Sequence, residues 1–145
     1  MPADSSLMYT CSLIEYIGRK THQRRGDVVH ALGVERVARI YHHACVLHAE
    51  PIAEVANEYT HMAGMEMGGY DNVAACRYEV PDYWTIGEVF QRLIEDVTEG
   101  DVVDTIMAVY GSWMADAISD YNSDLFYQPR DYLRECYLAN EVLVA

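Results

Sequence analysis

The sequence predicts an all-α domain of about six or seven helices, and three observations support this prediction. Apolar residues recur at helical spacing through most of the 145 residues. Gly and Pro separate these periodic segments, as at helix ends. Hydrophobic residues make up 51% of the chain and charged residues 23%, which is typical of a packed globular domain. We expect one domain over residues 1–145, with a subdivision into 1–63 and 82–145 around a Gly-rich break as the alternative.

The first two predicted helices lie near the N-terminus. Residues 7–18 carry an apolar stripe, and Ser5 or Ser6 is expected to cap the helix. Residues 27–32 fit a short second helix that begins at Asp27 and stops at Gly33.

Two further helices are predicted before the Gly-rich break at residues 64–69. The third spans about 34–49 and ends at Pro51, because Pro disfavours helix at the preceding residue. Pro51 suits the first turn of a fourth helix that runs to about residue 63. After the break, residues 73–80 are the one candidate for a short extended segment.

Three more helices complete the prediction. Thr85 and Glu88 have the spacing of a capping box, which predicts a fifth helix ending at Gly100. Residues 101–121 read as one long sixth helix rich in large apolar side chains. Pro129 is expected to open a seventh helix through about residue 140.

The charge distribution restricts the classes of partner. The net charge is −13, with +1 in residues 1–50 and −14 in residues 51–145. Nucleic-acid and membrane-surface binding need a positive footprint, so we expect neither. The acidic half is instead predicted to meet a basic partner through exposed carboxylates, namely Asp101, Asp104, Asp116, Asp120 and Asp124.

Targeting, redox and cofactor signals are absent from the sequence. The four cysteines have no zinc-ligand spacing, which favours free thiols in a reducing compartment. No signal-peptide pattern and no run of 18 apolar residues is present, so a cytoplasmic location is expected. Phosphate-binding loops and hydrolase motifs are missing as well, and we expect no cofactor.

A metal site is one alternative function. Glu58 and His61 form the Glu-x-x-His spacing of di-iron bundles, and Glu54 lies one turn earlier on the same helix face. The chain has no histidine after His61, however, and a second such motif would be needed. This face is also opposite the apolar stripe.

A ribonuclease that pairs arginine with histidine is a second alternative. In such an enzyme an arginine binds the phosphate and a histidine transfers the proton. His48 is expected to be a core histidine instead, since it falls within the apolar stripe of the third helix. The candidate catalytic residues are Arg25, His30, Arg36, Arg39, His42 and His43.

A helix-turn-helix regulator is a third alternative. Residues 27–34 resemble its first half, and residues 35–39 would open the recognition helix. The connection after Gly33 is about two residues too short, and the net acidity opposes DNA binding.

Five short segments resemble a family of small bacterial helical proteins of unknown function, which are encoded beside ADP-ribosyltransferase-type toxins. The resemblance covers about the first 60 residues. It implies a partner-binding or antitoxin-like role and gives His48 a structural part at a helix end. The segments are residues 13–17, 27–29, 33–41, 46–48 and 52–54.

The leading functional hypothesis is a non-enzymatic interaction protein, antitoxin-like or an accessory factor of a mobile element. The twelve tyrosines and two tryptophans exceed what a small core needs, and both residue types favour interfaces. We therefore expect a protein partner or a homodimer.

Overall fold

The structure is a computed structural model that describes residues 4–144. Within that range the fold is all-α, with nine α-helices, one 3-10 turn and no strand. The helix number exceeds the predicted six or seven because the predicted helices over 34–49 and 101–121 are each divided and an extra turn forms at Asn72–Ala75, while the predicted helix over 27–32 joins the first part of 34–49. The helices are α1 Ser5–Thr21, α2 Arg25–His42, α3 Ala44–Leu47, α4 Ile52–Met62, α5 Asn72–Ala75, α6 Tyr83–Val97, α7 Val102–Tyr110, α8 Trp113–Ser119 and α9 Arg130–Ala139, and the 3-10 turn is Leu125–Tyr127.

Helix α1 lies at the centre of the fold and buries most of its side chains. It packs most extensively on α6, and also on α2 and α4. Where α1 meets α6, a Cβ on Gly87 would stand 2.1 Å from the Ser12 Oγ and 2.8 Å from the Ser12 Cα. The two backbones therefore approach closely because residue 87 has no side chain. Since α1 and α6 come from opposite sides of the Gly-rich break, both chain halves contribute to one core.

Helix α2 joins two segments that the sequence analysis separates. Gly33 interrupts it with φ 80° and ψ 160°, a conformation that strongly favours glycine. The predicted stop at Gly33 is thus a kink, after which the helix continues to His42. The predicted third helix over 34–49 ends earlier than expected, and α3 is a separate turn.

Aspartates begin α1 and α6 in place of the predicted capping residues. The Asp4 carboxylate accepts from the Ser6 N–H at 3.0 Å, so neither Ser5 nor Ser6 is the cap. The Asp82 carboxylate accepts from the Trp84 N–H at 2.6 Å. Helix α6 therefore begins at Tyr83, two residues before Thr85. Because a carboxylate at the N-cap satisfies an otherwise unbonded backbone N–H, the earlier aspartates define both starts.

The second half departs from the prediction at two places. The predicted helix over 101–121 is divided at Gly111, and Ser112 caps α8 by accepting from the Met114 N–H. Residues 73–80 form no strand: Asn72–Ala75 is a helical turn, and the chain after it is irregular.

In residues 4–144, none of the helices combines the length and apolar character needed to span a bilayer.

Candidate functional site

A buried ion pair joins α1 to the start of α2. The Arg25 guanidinium donates to both carboxylate oxygens of Glu15, with Nε–Oε1 at 2.9 Å and Nη2–Oε2 at 3.0 Å. Glu15 is 0% exposed and Arg25 is 1% exposed. Gly18 makes room for this side chain, since a Cβ there would stand 2.4 Å from the Arg25 Cδ. Burial of two charges is tolerated because the geometry is bidentate.

Three more side chains complete this ion-pair network. Arg19 donates its Nε to Glu15 at 2.9 Å and its Nη2 to the Pro81 carbonyl at 2.6 Å. The Tyr121 hydroxyl donates to the same Glu15 carboxylate. Asn72 accepts from Arg25 at 3.0 Å and donates to the Ser119 carbonyl at 2.9 Å. The network therefore connects α1, α2, α5 and the end of α8.

A cleft of about 420 Å³ opens directly above this network. Asn72 and Tyr121 belong to both, so the network forms its floor. Carboxylates line the cleft on two sides, so we call it the acidic cleft. Its principal lining residues are Arg24, Tyr70, Asp71, Asn72, Asp116 and Asp120.

The chain fixes both walls of the acidic cleft. The Gly68 N–H donates to the Thr21 carbonyl at 2.8 Å, and the Tyr70 N–H donates to the His22 carbonyl at 2.9 Å. A Cβ on Gly68 would stand 2.5 Å from the His22 oxygen, so this close approach requires glycine. The opposite wall is formed by α8 and the residue that follows it: Asp116 lies on the exposed face of α8, and Asp120 directly follows its last residue.

Two basic side chains of the chain already lie close to these carboxylates. The His22 imidazole lies 3.4 Å from Asp71, and the Arg24 guanidinium lies 3.4 Å from Asp116. The same guanidinium stacks over the Tyr70 ring at 4.6 Å from its centroid. Burial raises the pKa of Tyr70, so its ring is a neutral phenol at neutral pH.

The acidic cleft can bind a cation. Carboxylates attract it, and the Tyr70 ring offers a face for a cation–π contact. Asp120 keeps one oxygen on the Asn122 N–H at 3.0 Å, which holds its carboxylate in position. In the part of the chain that the structure describes, no group of three His, Cys, Asp or Glu side chains is arranged to hold a metal.

The five predicted partner-binding carboxylates do not form one surface. Asp116 and Asp120 line the acidic cleft. Asp101 caps α7 by accepting from the Val103 N–H, and Asp104 and Asp124 are exposed outside the cleft lining.

The predicted nuclease residues do not all come together, although Arg36 and Arg39 line one cleft beside Gly33. Arg25 is in the core on Glu15, whereas His30 is exposed, so these two side chains share no site. Arg36 donates to the Leu32 and Met62 carbonyls at 3.1 and 3.2 Å. Arg39, His42 and His43 are exposed on or just after the last turns of α2.

His48 is exposed, so its predicted place in the core is wrong. It lies just after α3, and its ring packs 5.3 Å from Tyr9 and 5.8 Å from Trp84.

The structure offers no arrangement of residues that supports the metal site or the helix-turn-helix among residues 4–144. Glu54, Glu58 and His61 are all exposed on α4. Residues 27–41 lie in one kinked helix, α2, with a single non-helical residue at Gly33 in place of a turn of several residues.

Most residues of the site were missed by the sequence analysis, namely Glu15, Arg19, Arg24, Tyr70, Asp71, Asn72 and Tyr121. Glu15 carries a signal, because it interrupts the apolar face of α1 between Ile14 and Ile17. Tyr70, Asn72 and Tyr121 carry none, since only the folded chain brings them together.

Searches of protein-family models, curated proteins and solved structures found no match to this chain.

Proposed function

We propose that this chain is a non-enzymatic binding protein whose acidic cleft receives a basic segment of a partner protein. One observation carries the proposal: three carboxylates and an aromatic face line a single cleft in which a guanidinium of the chain is already seated. An antitoxin-like role, with a basic protein encoded nearby as partner, is the specific form of this proposal.

The charge balance supports a basic partner over other classes. The net charge of −13 lowers the local concentration of anions and raises that of cations. Asp120 has no basic side chain within ion-pairing distance among residues 4–144, and Asp71 and Asp116 face only half-exposed partners. These carboxylates are therefore accessible to the cations of a partner, and each ion pair would contribute modestly because it stays partly exposed.

Peptide titration at low ionic strength tests the proposal. The probe is an unstructured peptide of Arg-Gly-Ser repeats, with Glu-Gly-Ser repeats as the negative control. We expect the Arg peptide alone to bind, and Asp116→Asn/Asp120→Asn to weaken binding about fivefold, since exposed ion pairs contribute 0.2–1 kcal/mol each.

The matched control is Glu99→Gln/Asp131→Asn, which removes the same charge from exposed residues outside the acidic cleft. It should change the dissociation constant less than about twofold, because neither residue lines the cleft and the attraction between charges falls with their separation. Absence of binding, or equal weakening by both double variants, overturns the proposal. For the antitoxin-like form, copurification with the product of an adjacent gene should be lost in Asp116→Asn/Asp120→Asn.

A further inference from the structure

Arg24 occupies part of the acidic cleft. Its guanidinium carbon lies 4.6 Å from the Tyr70 ring centroid, and its Nη1 lies 3.4 Å from the Asp116 Oδ1. The aromatic face and the carboxylate together form a seat for one planar cation, which we call the guanidinium seat.

The guanidinium seat lies between two openings. The acidic cleft is on one side, and a second cleft of about 320 Å³ is on the other. Arg24, Gly69 and Tyr70 line both clefts, and a Cβ on Gly69 would meet nothing within 4 Å. The seat is therefore accessible from solvent.

Arg24 is held weakly compared with its neighbour. The side chains of Arg24 and Asp116 are 54% and 51% exposed, and a single contact joins them. Arg25 is fully shielded and bonded through both sides of its guanidinium. Asp27 lies one turn further along α2 and shares the second cleft with Arg24, so a displaced Arg24 has a carboxylate within reach.

We infer that Arg24 is an internal competitor for the guanidinium seat, and that the partner places an arginine side chain there when it binds. This inference rests on the proposed function and names the residue type that the acidic cleft selects. Arginine is selected over lysine because its planar guanidinium stacks on Tyr70 while it bonds to Asp116. Lysine carries a compact ammonium, which cannot stack on Tyr70 and bond to Asp116 at the same time with good geometry.

The test compares two peptides on four proteins. The peptides are the Arg-Gly-Ser repeat and the same repeat with lysine in place of arginine. The proteins are the unchanged chain, Arg24→Ala, Arg24→Ala/Tyr70→Leu and Arg134→Ala. The last is the matched control, since Arg134 is a half-exposed arginine paired with Asp131 and Glu135, and none of these residues lines the cleft.

Removal of the competitor should strengthen binding of the arginine peptide about tenfold, which combines a cation–π contact with an exposed ion pair. Arg134→Ala makes the same charge change and should alter the dissociation constant less than about twofold. We expect Arg24→Ala to prefer arginine over lysine at least about threefold, and Arg24→Ala/Tyr70→Leu to lose that preference.

Each outcome has a defined meaning. If the unchanged chain binds the arginine peptide but Arg24→Ala behaves like Arg134→Ala, the inference is overturned while the proposed function stands. Equal affinity of Arg24→Ala for both peptides also overturns the inference alone. If neither the unchanged chain nor Arg24→Ala binds either peptide, both proposals are overturned.

Discussion

Arg25 donates to both carboxylate oxygens of Glu15 in the interior of the protein, at 2.9 and 3.0 Å. Glu15 also accepts from Arg19, so one carboxylate serves two guanidinium groups. This pair lies beneath the acidic cleft. Because the acidic cleft and this pair share Asn72 and Tyr121, the geometry of the cleft depends on the pair.

Replacement of Glu15 by Gln should destabilise the protein by about 3–5 kcal/mol, the range for breaking a buried ion pair. The reason is that the fully buried Arg25 guanidinium would lose its counter-charge, and the partly buried Arg19 would lose its ion pair as well. Urea denaturation measures the change. The control is Glu88→Gln, which removes the exposed pair with Arg92 and should cost under about 1 kcal/mol. Equal losses in the two variants would contradict the assigned role of Glu15.

Gly87→Ala should destabilise the protein by about 1–3 kcal/mol, as overpacking of a tight core does. The added methyl group would meet Ser12 at 2.1 Å, and the backbone atoms of Ser12 at 2.8 Å leave it no room. Gly100→Ala is the control, because a Cβ there meets nothing within 4 Å. Thermal unfolding of both variants tests the prediction, and an unchanged Gly87→Ala would contradict the close contact of α1 with α6.

The start of α6 gives a third prediction. Asp82→Ala should cost about 1 kcal/mol, since the first N–H groups of the helix would lose their side-chain acceptor. Thr85→Ala should stay within about 0.5 kcal/mol, because Thr85 lies inside the helix rather than at its cap. Chemical denaturation of both variants distinguishes the two positions. A larger loss of unfolding free energy for Thr85→Ala than for Asp82→Ala would contradict this assignment and favour the predicted capping box at Thr85.

Stability should fall as the pH rises from about 9 to about 12. Burial raises the pKa of Tyr9 from 10.0 to about 12 and that of Cys11 from 9.0 to about 12. The folded chain keeps these protons where the unfolded chain has released them, so the stabilisation is complete below pH 9 and is lost above it. Urea denaturation across this pH range measures the decline.

Tyr9→Phe provides the control for the pH prediction. The Tyr9 hydroxyl is buried and has no hydrogen-bond partner among residues 4–144, so its removal leaves no partner unsatisfied. The variant should fold at neutral pH and show a shallower alkaline decline. An identical decline in the variant would assign the effect to other groups.

Hydrophobic periodicity was sufficient to predict the all-α class, because a helix that buries one face must repeat its apolar residues. Helix ends were harder to predict. Asp4 and Asp82 compete with nearby Ser and Thr residues for the same role, and the carboxylate that reaches the first free N–H determines the start. The division at Gly111 was missed, since the apolar pattern continues on both sides of it.

The candidate site could be predicted only in part. The acidity of the second half was evident from the sequence, and it identified Asp116 and Asp120 among five candidates. The selection of these two depends on which carboxylates line the same cleft as Tyr70, a tertiary arrangement that leaves no local pattern. Arg25 was one of six catalytic candidates of the ribonuclease alternative, whereas the structure buries it in an ion pair with Glu15.

The ion-pair network also constrains the order of events during synthesis on the ribosome. Glu15 and Arg25 emerge early, but Asn72 follows 47 residues after Arg25, and Tyr121 follows 106 residues after Glu15. Helix α6, on which α1 packs, also emerges late. The apolar face of α1 that packs on α6 therefore stays exposed until most of the chain has been made. This is expected for a fold held by contacts between distant residues.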